Sequence, residues 1–126
     1  METIKSNRDF ERVFRKGRSV SHRDLVLLGR KRRPSGARVG FCISRKTGKA
    51  VQRNLLRRRL KEIVREVEER LDPKWDLVIV SKQTSISLSY SHLRGRLINL
   101  LERLGALPTT APIETSPTES RDRLPV

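Results

Sequence analysis

The most constraining feature of this sequence is a basic segment that continues directly into an amphipathic helix. Between Arg45 and Lys61 there are eight Lys and Arg residues and no acidic residue. From Ala50 onward, apolar residues recur three and four positions apart, as they do along the buried face of a helix. They are Leu56, Leu60, Ile63, Val64, Val67 and Leu71. The pattern predicts a helix with one apolar stripe beside a basic face.

The charges of this helix are distributed against its macrodipole. The first half is basic, whereas the acids Glu62, Glu66, Glu68 and Glu69 all lie in the second half. The macrodipole favours acids near the N-terminus, and each misplaced exposed charge costs a few tenths of a kcal/mol, up to about 1. Many charge runs on helices are only solvated faces, but this one has a single sign and belongs to a chain of net charge +15. We therefore favour a polyanion-binding site, with nucleic acid as the leading partner.

Size and composition limit the class of protein. With 126 residues the chain has room for one domain and a single modest core. No stretch approaches the ~20 apolar residues of a membrane-spanning helix, and the N-terminus lacks the apolar region of a signal peptide. Cys42 is the single cysteine, which excludes an internal disulfide and a cysteine-rich metal site. A cytoplasmic protein without membrane contact is expected.

The order of the predicted elements indicates an α+β fold. Ser6 is a candidate cap for a first helix that ends at Gly17 in a left-handed conformation. Strands are predicted over 19–29, 39–44 and 75–81, Pro73 stops the basic helix, and a last helix ends at Gly105. This order predicts a small two-layer sandwich, with helices packed on a mostly antiparallel sheet of three to four strands. Residues 1–5 are expected to be a flexible N-terminus, 6–107 a nucleic-acid-binding domain, and 108–126 a disordered tail rich in Pro, Ser and Thr.

Catalytic chemistry is not indicated by the sequence. A nuclease or hydrolase needs metal ligands or an acid/base pair that converge. His22 and His92 each stand alone, the carboxylates of 62–69 are scattered around an exposed helical face, and Cys42 alternates within a strand as a small apolar residue. We predict neither a catalytic residue nor a metal site in the protein itself.

The few aromatic residues allow two interpretations. Phe10 and Phe14 stand one helical turn apart, and Phe41 lies on a strand that could face them. A plain aromatic core is favoured on general grounds. The alternative is a stacking platform for unpaired bases beside a positive groove.

Two stretches resemble the bacterial ribonuclease P protein subunit. Residues 38–62 contain Val-Gly, a strand that ends in Ser-Arg-Lys, and then Gly-Lys-Ala-Val-Gln-Arg-Asn followed by a run of arginines. Upstream, Asp9-Phe10-x-x-Val13-Phe14-x-x-Gly17 is similar to the first helix of that family. The resemblance covers roughly residues 6–105.

The resemblance implies an accessory subunit of a ribonucleoprotein. Its partners would be the ribonuclease P catalytic RNA and precursor tRNA, whose 5′ leader is removed in a Mg²⁺-dependent endonucleolytic reaction, with no further protein partner required. The Mg²⁺ ions would be bound mainly by the RNA subunit and the substrate. The family fold also implies a left-handed strand–helix–strand crossover around the basic helix, contrary to the usual right-handed rule.

Two functional surfaces follow from this resemblance, taken together with the charge and aromatic patterns described above. The first, here called the basic surface, is predicted to bind RNA and comprises Arg45, Lys46, Lys49, Arg53, Asn54, Arg57, Arg58, Lys61 and Arg65. The second, here called the leader cleft, lies between the first helix and the sheet and is predicted to comprise Phe10, Phe14, Leu28 and Phe41. Two positions depart from the family pattern. Leu55 replaces the second arginine of an Arg-Asn-Arg motif, and Leu28 stands where a tyrosine is common.

Three other classes of protein share part of this sequence pattern. A small ribosomal protein or RNA chaperone would share the composition, whereas a DNA-binding basic helix would need the heptads of a zipper. A protein-only nuclease would need carboxylates or histidines that converge. The ordered motif over 40–61 favours the ribonuclease P subunit over all three.

Overall fold

Three helices and five strands make up the part of the chain that the computed structural model describes, residues 2–4, 6–31 and 37–108. In chain order they are β1 (Glu2–Thr3), α1 (Asn7–Lys16), β2 (Arg18–Ser21), β3 (Leu25–Lys31), β4 (Arg38–Ile43), α2 (Ala50–Val67), β5 (Trp75–Ser81) and α3 (Tyr90–Leu104). Short 3₁₀ turns occupy Arg45–Thr47, Glu68–Arg70 and Gln83–Ser87. None of these described helices is long and apolar enough to cross a membrane. Apart from Pro108, the predicted disordered tail lies outside the described residues.

The strands form one sheet in the order β1–β4–β5–β3–β2. Strand β3 runs antiparallel to both β2 and β5, while β4 runs parallel to β5 and β1 runs parallel to β4. Among the four longer strands, two of the three pairings are therefore antiparallel, which confirms the predicted sheet. Because β4 and β5 are parallel neighbours joined through α2, the strand–helix–strand crossover is present. Its left-handedness stays a prediction.

Helices α2 and α3 cover one face of the sheet, and α1 covers part of the other. The apolar stripe predicted for the basic helix is buried at every position against the larger core. Leu27 and Ile79 point into this core, whereas Leu28, Val78 and Val80 face α1. Strands that are apolar on both faces have continuous apolar runs in sequence. This explains why residues 25–28 and 77–80 are all apolar. The α+β class with helices packed on one sheet is confirmed.

The single strand predicted over 19–29 is wrong, because a turn at 22–24 divides it into the β2–β3 hairpin. The His22 N–H donates to the Leu25 carbonyl at 2.8 Å. The buried Asp24 carboxylate, with Oδ2 2.7 Å from Arg96 Nε, forms an ion pair with α3. The polar run that precedes Leu25 is a turn signal, and the pairing of Asp24 with α3 fixes the turn in place.

The flexible N-terminus predicted over 1–5 is wrong for residues 2–4. Glu2 and Thr3 pair with Arg38 and Val39 of β4. Ile4 is only 3% exposed, and its N–H donates to the Val39 carbonyl at 3.0 Å. The pairing covers the edge of β4, which would otherwise present unpaired backbone groups.

The two glycines predicted to end helices behave differently. Gly105 has φ +94°, which confirms the left-handed end of α3. Gly17 has φ −82° and is extended, so the left-handed prediction there is wrong. A Cβ at Gly17 would lie 2.8 Å from the Gly29 carbonyl oxygen, so glycine is needed because α1 ends tightly against β3.

Candidate nucleic-acid interface

The basic surface begins on the turn between β4 and α2. Arg45 and Lys46 are exposed on this turn, while Thr47 beside them is buried. The Thr47 hydroxyl donates to the Ser81 carbonyl at 3.4 Å, which ties the turn to the end of β5. Lys49 caps α2, and its N–H donates to Gln52 Oε1 at 2.9 Å. The remaining residues of the basic surface follow along α2, so the structure brings all nine into one continuous segment.

Two arginines of the basic surface donate hydrogen bonds to neutral acceptors. Arg53 Nε donates to the Gly48 carbonyl at 3.1 Å, and Arg57 Nη1 donates to Asn54 Oδ1 at 3.3 Å, so both acceptors are neutral. Ion pairs join other described residues: Arg12–Asp9, Arg38–Asp9, Arg38–Asp76, Arg94–Glu66 and Arg96–Asp24. The first turn of α2 also contains no acidic residue. Charge from these side chains and from the helix N-terminus is therefore available to phosphates.

Helix α1 is held on the opposite face of the sheet by Val13 and Phe10. Val13 is fully buried, and the half-buried Phe10 packs in a cluster with Leu28 and Val80. The Phe10 ring lies directly over Gly40 of β4, where an added Cβ would come within 2.7 Å of Phe10 Cζ. Phe14, one turn further along, is 47% exposed. The interpretation of a plain aromatic core is therefore wrong for Phe14.

An ion-pair network fixes the N-terminal end of α1. Arg38 on β4 donates from Nε and Nη2 to both carboxylate oxygens of Asp76, at 3.0 and 2.7 Å, and from Nη1 to Asp9 of α1 at 3.1 Å. Asp76 is buried in β5. Hydrogen bonding to Asp76 is the main reason that the pKa of Arg38 is raised. The bidentate pair orients Arg38 within the sheet, and its remaining bond to Asp9 links α1 to the sheet.

The floor of the leader cleft is wider than the sequence predicted. Residues Leu28, Val78 and Gly40 lie side by side across β3, β5 and β4, beneath α1. The next row toward the end of β4 contains Val26, Val80 and Cys42, which face the same side and are only half-buried. These three residues were missed as cleft residues. The sequence did contain a signal for them. Both faces of β3 and β5 are apolar, and the short helix α1 is too small to cover the whole of its face of the sheet.

Phe41 does not belong to the leader cleft, and its assignment there is wrong. Successive residues of a strand point to opposite faces. Since Gly40 faces Phe10 on α1, Phe41 faces the other layer, where it packs against the core under α2 and α3. There it lines a separate cleft with Lys61 and Arg65.

Comparison with known proteins identifies the family. A family model described as Ribonuclease P matches residues 1–105. The chain belongs to the ribonuclease P protein family. It is 38% identical over 103 residues to the ribonuclease P protein component of Clostridium botulinum strain Langeland, covering 81% of this chain and 93% of that protein.

Solved structures of ribonuclease P proteins share the fold. The protein from Thermotoga maritima superposes with a TM-score of 0.75 at 31% identity, over 82% of this chain and 97% of that one. The protein from Staphylococcus aureus gives a TM-score of 0.80 at 25% identity, over 85% and 98%. The family name implies a role in a tRNA-processing ribonuclease that has an RNA partner.

Leu55 is an exposed apolar residue within the basic segment of this ribonuclease P protein. Leu55 is 36% exposed, which confirms that it lies off the buried stripe, and Val51 one turn before it is 79% exposed. The two side chains lie four residues apart on the exposed side of α2. Leu55 is the residue that stands at the position of the second arginine in the Arg-Asn-Arg motif.

His92 is exposed and His22 is half-buried, and each ring has a polar side chain within hydrogen-bond distance. His22 Nε2 lies 3.0 Å from Asn99 Oδ1, and His92 Nδ1 lies 3.1 Å from Ser89 Oγ. Burial lowers the pKa of His22, although its hydrogen bond to Asn99 opposes the shift. Within residues 2–4, 6–31 and 37–108, no three His, Cys, Asp or Glu side chains are grouped in a way that suits a metal ion.

Proposed function

We propose that this ribonuclease P protein binds the catalytic RNA through its basic surface and the 5′ leader of precursor tRNA in its leader cleft. It thereby promotes the Mg²⁺-dependent endonucleolytic removal of the leader in tRNA 5′ maturation. One observation carries the proposal. A half-covered apolar sheet face, with the exposed Phe14 at its side, ends beside a turn on which the cations Arg45 and Lys46 are exposed.

The connection between the two surfaces follows from β4. Cys42 contributes to the floor of the leader cleft, and β4 ends at Ile43. Arg45 and Lys46 follow on the next turn, held there by Thr47. A single RNA strand that lies along the apolar floor would therefore meet cations where it leaves the cleft.

The chemistry of the two surfaces suits the two proposed partners. Unpaired bases stack on aromatic side chains, and each stack contributes about 1–3 kcal/mol. Phosphate contacts supply a large, salt-dependent part of the affinity and fix the position of the RNA without reading its sequence. Holding the leader in a fixed position favours cleavage by proximity. The proposal assigns bond cleavage and Mg²⁺ mainly to the RNA subunit and the substrate, as the family resemblance implies, in a cytoplasmic reaction that needs no membrane and no further protein.

Reconstitution with a bacterial ribonuclease P RNA tests the proposal. Cleavage of precursor tRNA is followed at low Mg²⁺ with both components, with the RNA alone and with the protein alone. We expect strong stimulation only in the mixture. No stimulation, together with tight binding to another structured RNA, would favour a ribosomal or chaperone role instead.

A Phe14→Ala variant tests the leader cleft within the same assay. Because Phe14 is exposed, the variant should remain folded. It should lose about 1–3 kcal/mol in binding leader-bearing precursor and bind leaderless tRNA as the unaltered protein does. Equal losses for both RNAs would show that Phe14 does not contact the leader.

A further inference from the structure

A second cleft lies on the face of the sheet opposite α1. It has a volume of about 180 Å³ and is situated between α2 and the β1–β4 edge of the sheet. The residues that line it are Thr3, Val39, Phe41, Lys61, Val64, Arg65 and Glu68. The leader cleft lies on the other face, so the two sites are separated by the sheet itself. The presence of β1 at this edge, through Thr3, is part of how the second cleft is built.

The lining of the second cleft combines apolar side chains with a charged rim, in which the cations Lys61 and Arg65 outnumber the acid Glu68. Val39 and Val64 are buried beneath the cleft, and the half-buried Phe41 also lines it. Lys61 and Arg65 are exposed and lie one helical turn apart on α2. A free phosphate would need only the cations, and an apolar peptide would need only the floor. A nucleotide uses both, because its base has an apolar π-face and its phosphate is anionic.

We propose that this second cleft binds one unpaired nucleotide of an RNA, with its base against Phe41 and its phosphate beside Lys61 and Arg65. The proposal rests on the proposed RNA-binding function and adds a base-binding position to the basic surface. Phosphate contacts position an RNA, whereas base contacts distinguish one nucleotide from another. The nucleotide can come from the RNA subunit or from the precursor tRNA, and the experiment separates these sources.

The first test records methyl NMR spectra of the full chain during titration with single-stranded pentaadenylate RNA. Val39 and Val64 report on the second cleft, while Val26 and Val80 report on the leader cleft on the other face. We expect the methyl resonances of Val39 and Val64 to shift, because a base placed against Phe41 brings its ring current close to them. No shift at Val39 and Val64 would overturn the proposal, whatever the response on the other face.

The second test compares variants that keep the fold and alter one property each. Phe41→Leu keeps an apolar side chain and removes the aromatic face, and its unfolding free energy and methyl spectrum check that it is folded. It should weaken binding of the source RNA by about tenfold, within the range for loss of one base stack. Running the titration separately with the RNA subunit and with precursor tRNA identifies the source. Unaltered affinity for both RNAs would overturn the proposal.

Lys61→Gln and Arg58→Gln form a matched pair on α2. Each removes one positive charge from the basic surface, but Arg58 does not line the second cleft. Both should reduce the salt dependence of RNA binding by about one unit. Only Lys61→Gln should reduce the pentaadenylate shifts of Val39 and Val64. Equal reductions of these shifts in both variants would show that the RNA is attracted by the overall charge of α2 and is not bound in the second cleft.

The reconstitution assay keeps this inference separate from the proposed function. If the unaltered protein stimulates cleavage while Val39 and Val64 do not respond, the second cleft is refuted and the proposed function stands. If the methyl groups respond and Phe41→Leu weakens RNA binding, yet cleavage is not stimulated, the proposed function fails and the cleft is supported.

Discussion

The contact between Phe10 and Gly40 allows a sharp test of how α1 is held on the sheet. In a Gly40→Ala variant the new Cβ would lie 2.7 Å from both Cε1 and Cζ of Phe10 and 3.2 Å from Cβ of Ile4. Carbon atoms in ordinary contact are about 3.5–4.0 Å apart. The ring must therefore move by about 1 Å, and α1 must move with it or Phe10 must leave its place in the cluster.

The expected change in stability is the difference between two terms. Overpacking of this kind costs about 1–3 kcal/mol. Replacing glycine by alanine also restricts the unfolded chain, which stabilises the folded state by about 0.4–1 kcal/mol. We therefore expect Gly40→Ala to lower the free energy of unfolding by about 0.5–2 kcal/mol, measured by urea denaturation at an unchanged m-value. Leader-bearing precursor should also bind more weakly relative to leaderless tRNA, because Phe10 borders the cleft floor.

Gly95 of α3 provides the matched control. A Cβ at Gly95 would meet no atom within 4 Å, so Gly95→Ala should stabilise the protein by about 0.5–1 kcal/mol through helix propensity. A double-mutant cycle completes the test. In a Phe10→Leu background, which lacks the ring atoms that clash, Gly40→Ala should cost at least 0.5 kcal/mol less, about the smallest coupling seen between contacting residues. If Gly40→Ala stabilises as Gly95→Ala does, or if the cycle shows no coupling, the ring does not hold α1 in this way.

Four further predictions concern charge. Arg58→Ala should reduce the slope of log binding constant against log salt concentration by about one unit, because one phosphate contact is lost. Lys74→Ala, at the end of β5 away from the basic surface, is the control and should leave this slope unaltered. An unaltered slope for Arg58→Ala would show that Arg58 is not part of the basic surface. Leu55→Arg should steepen that slope by about one unit and tighten binding to the RNA subunit, and an unaltered slope would show that no phosphate lies near this position. Arg38→Met removes the bidentate bond that the partly exposed Arg38 makes to the buried Asp76, so it should lower the free energy of unfolding in urea by about 1–3 kcal/mol. A loss below about 0.5 kcal/mol would contradict this prediction. Because burial lowers the pKa of His22, its stabilising contribution is present above the unfolded pKa of about 6.5 and is lost as pH falls through the folded pKa. Between about pH 7.5 and 5.5, the free energy of unfolding should therefore fall further for the unaltered protein than for His22→Gln. Parallel profiles of unfolding free energy against pH would refute this prediction.

The parts of the fold that could be predicted from sequence are those with local causes. The stripe of α2 is set by a 3.6-residue period that its own side chains display, and all of it is buried. Gly105 adopts the left-handed conformation that glycine permits at a helix end. By contrast, β1 has two residues and no period, and it exists because β4 offers an edge more than 30 residues away in sequence. The turn at 22–24 likewise depends on Arg96, which lies far along the chain.

The candidate site divides in the same manner. Charge is visible in sequence, so the basic surface could be placed on one turn and one helix before its geometry was known. The aromatic set could not be assembled correctly from proximity in sequence alone, since Phe10 packs on Gly40 and not on Phe41. A signal for this existed in β4, where Phe41 alternates in step with the apolar Val39 and Ile43, and these face the larger core.

Strand β4 thus divides the proposed RNA contacts between the two faces of the sheet. Gly40 and Cys42 face α1 and the proposed leader cleft, while Val39 and Phe41 line the second cleft. A slip of one residue in its pairing with β5 would exchange the two sets, because side chains alternate with a period of two. The register is held at both ends by side chains. At one end Arg38 donates two hydrogen bonds to Asp76, and at the other Thr47 donates one to the Ser81 carbonyl. These polar contacts therefore fix which residues of β4 face each of the two proposed RNA sites.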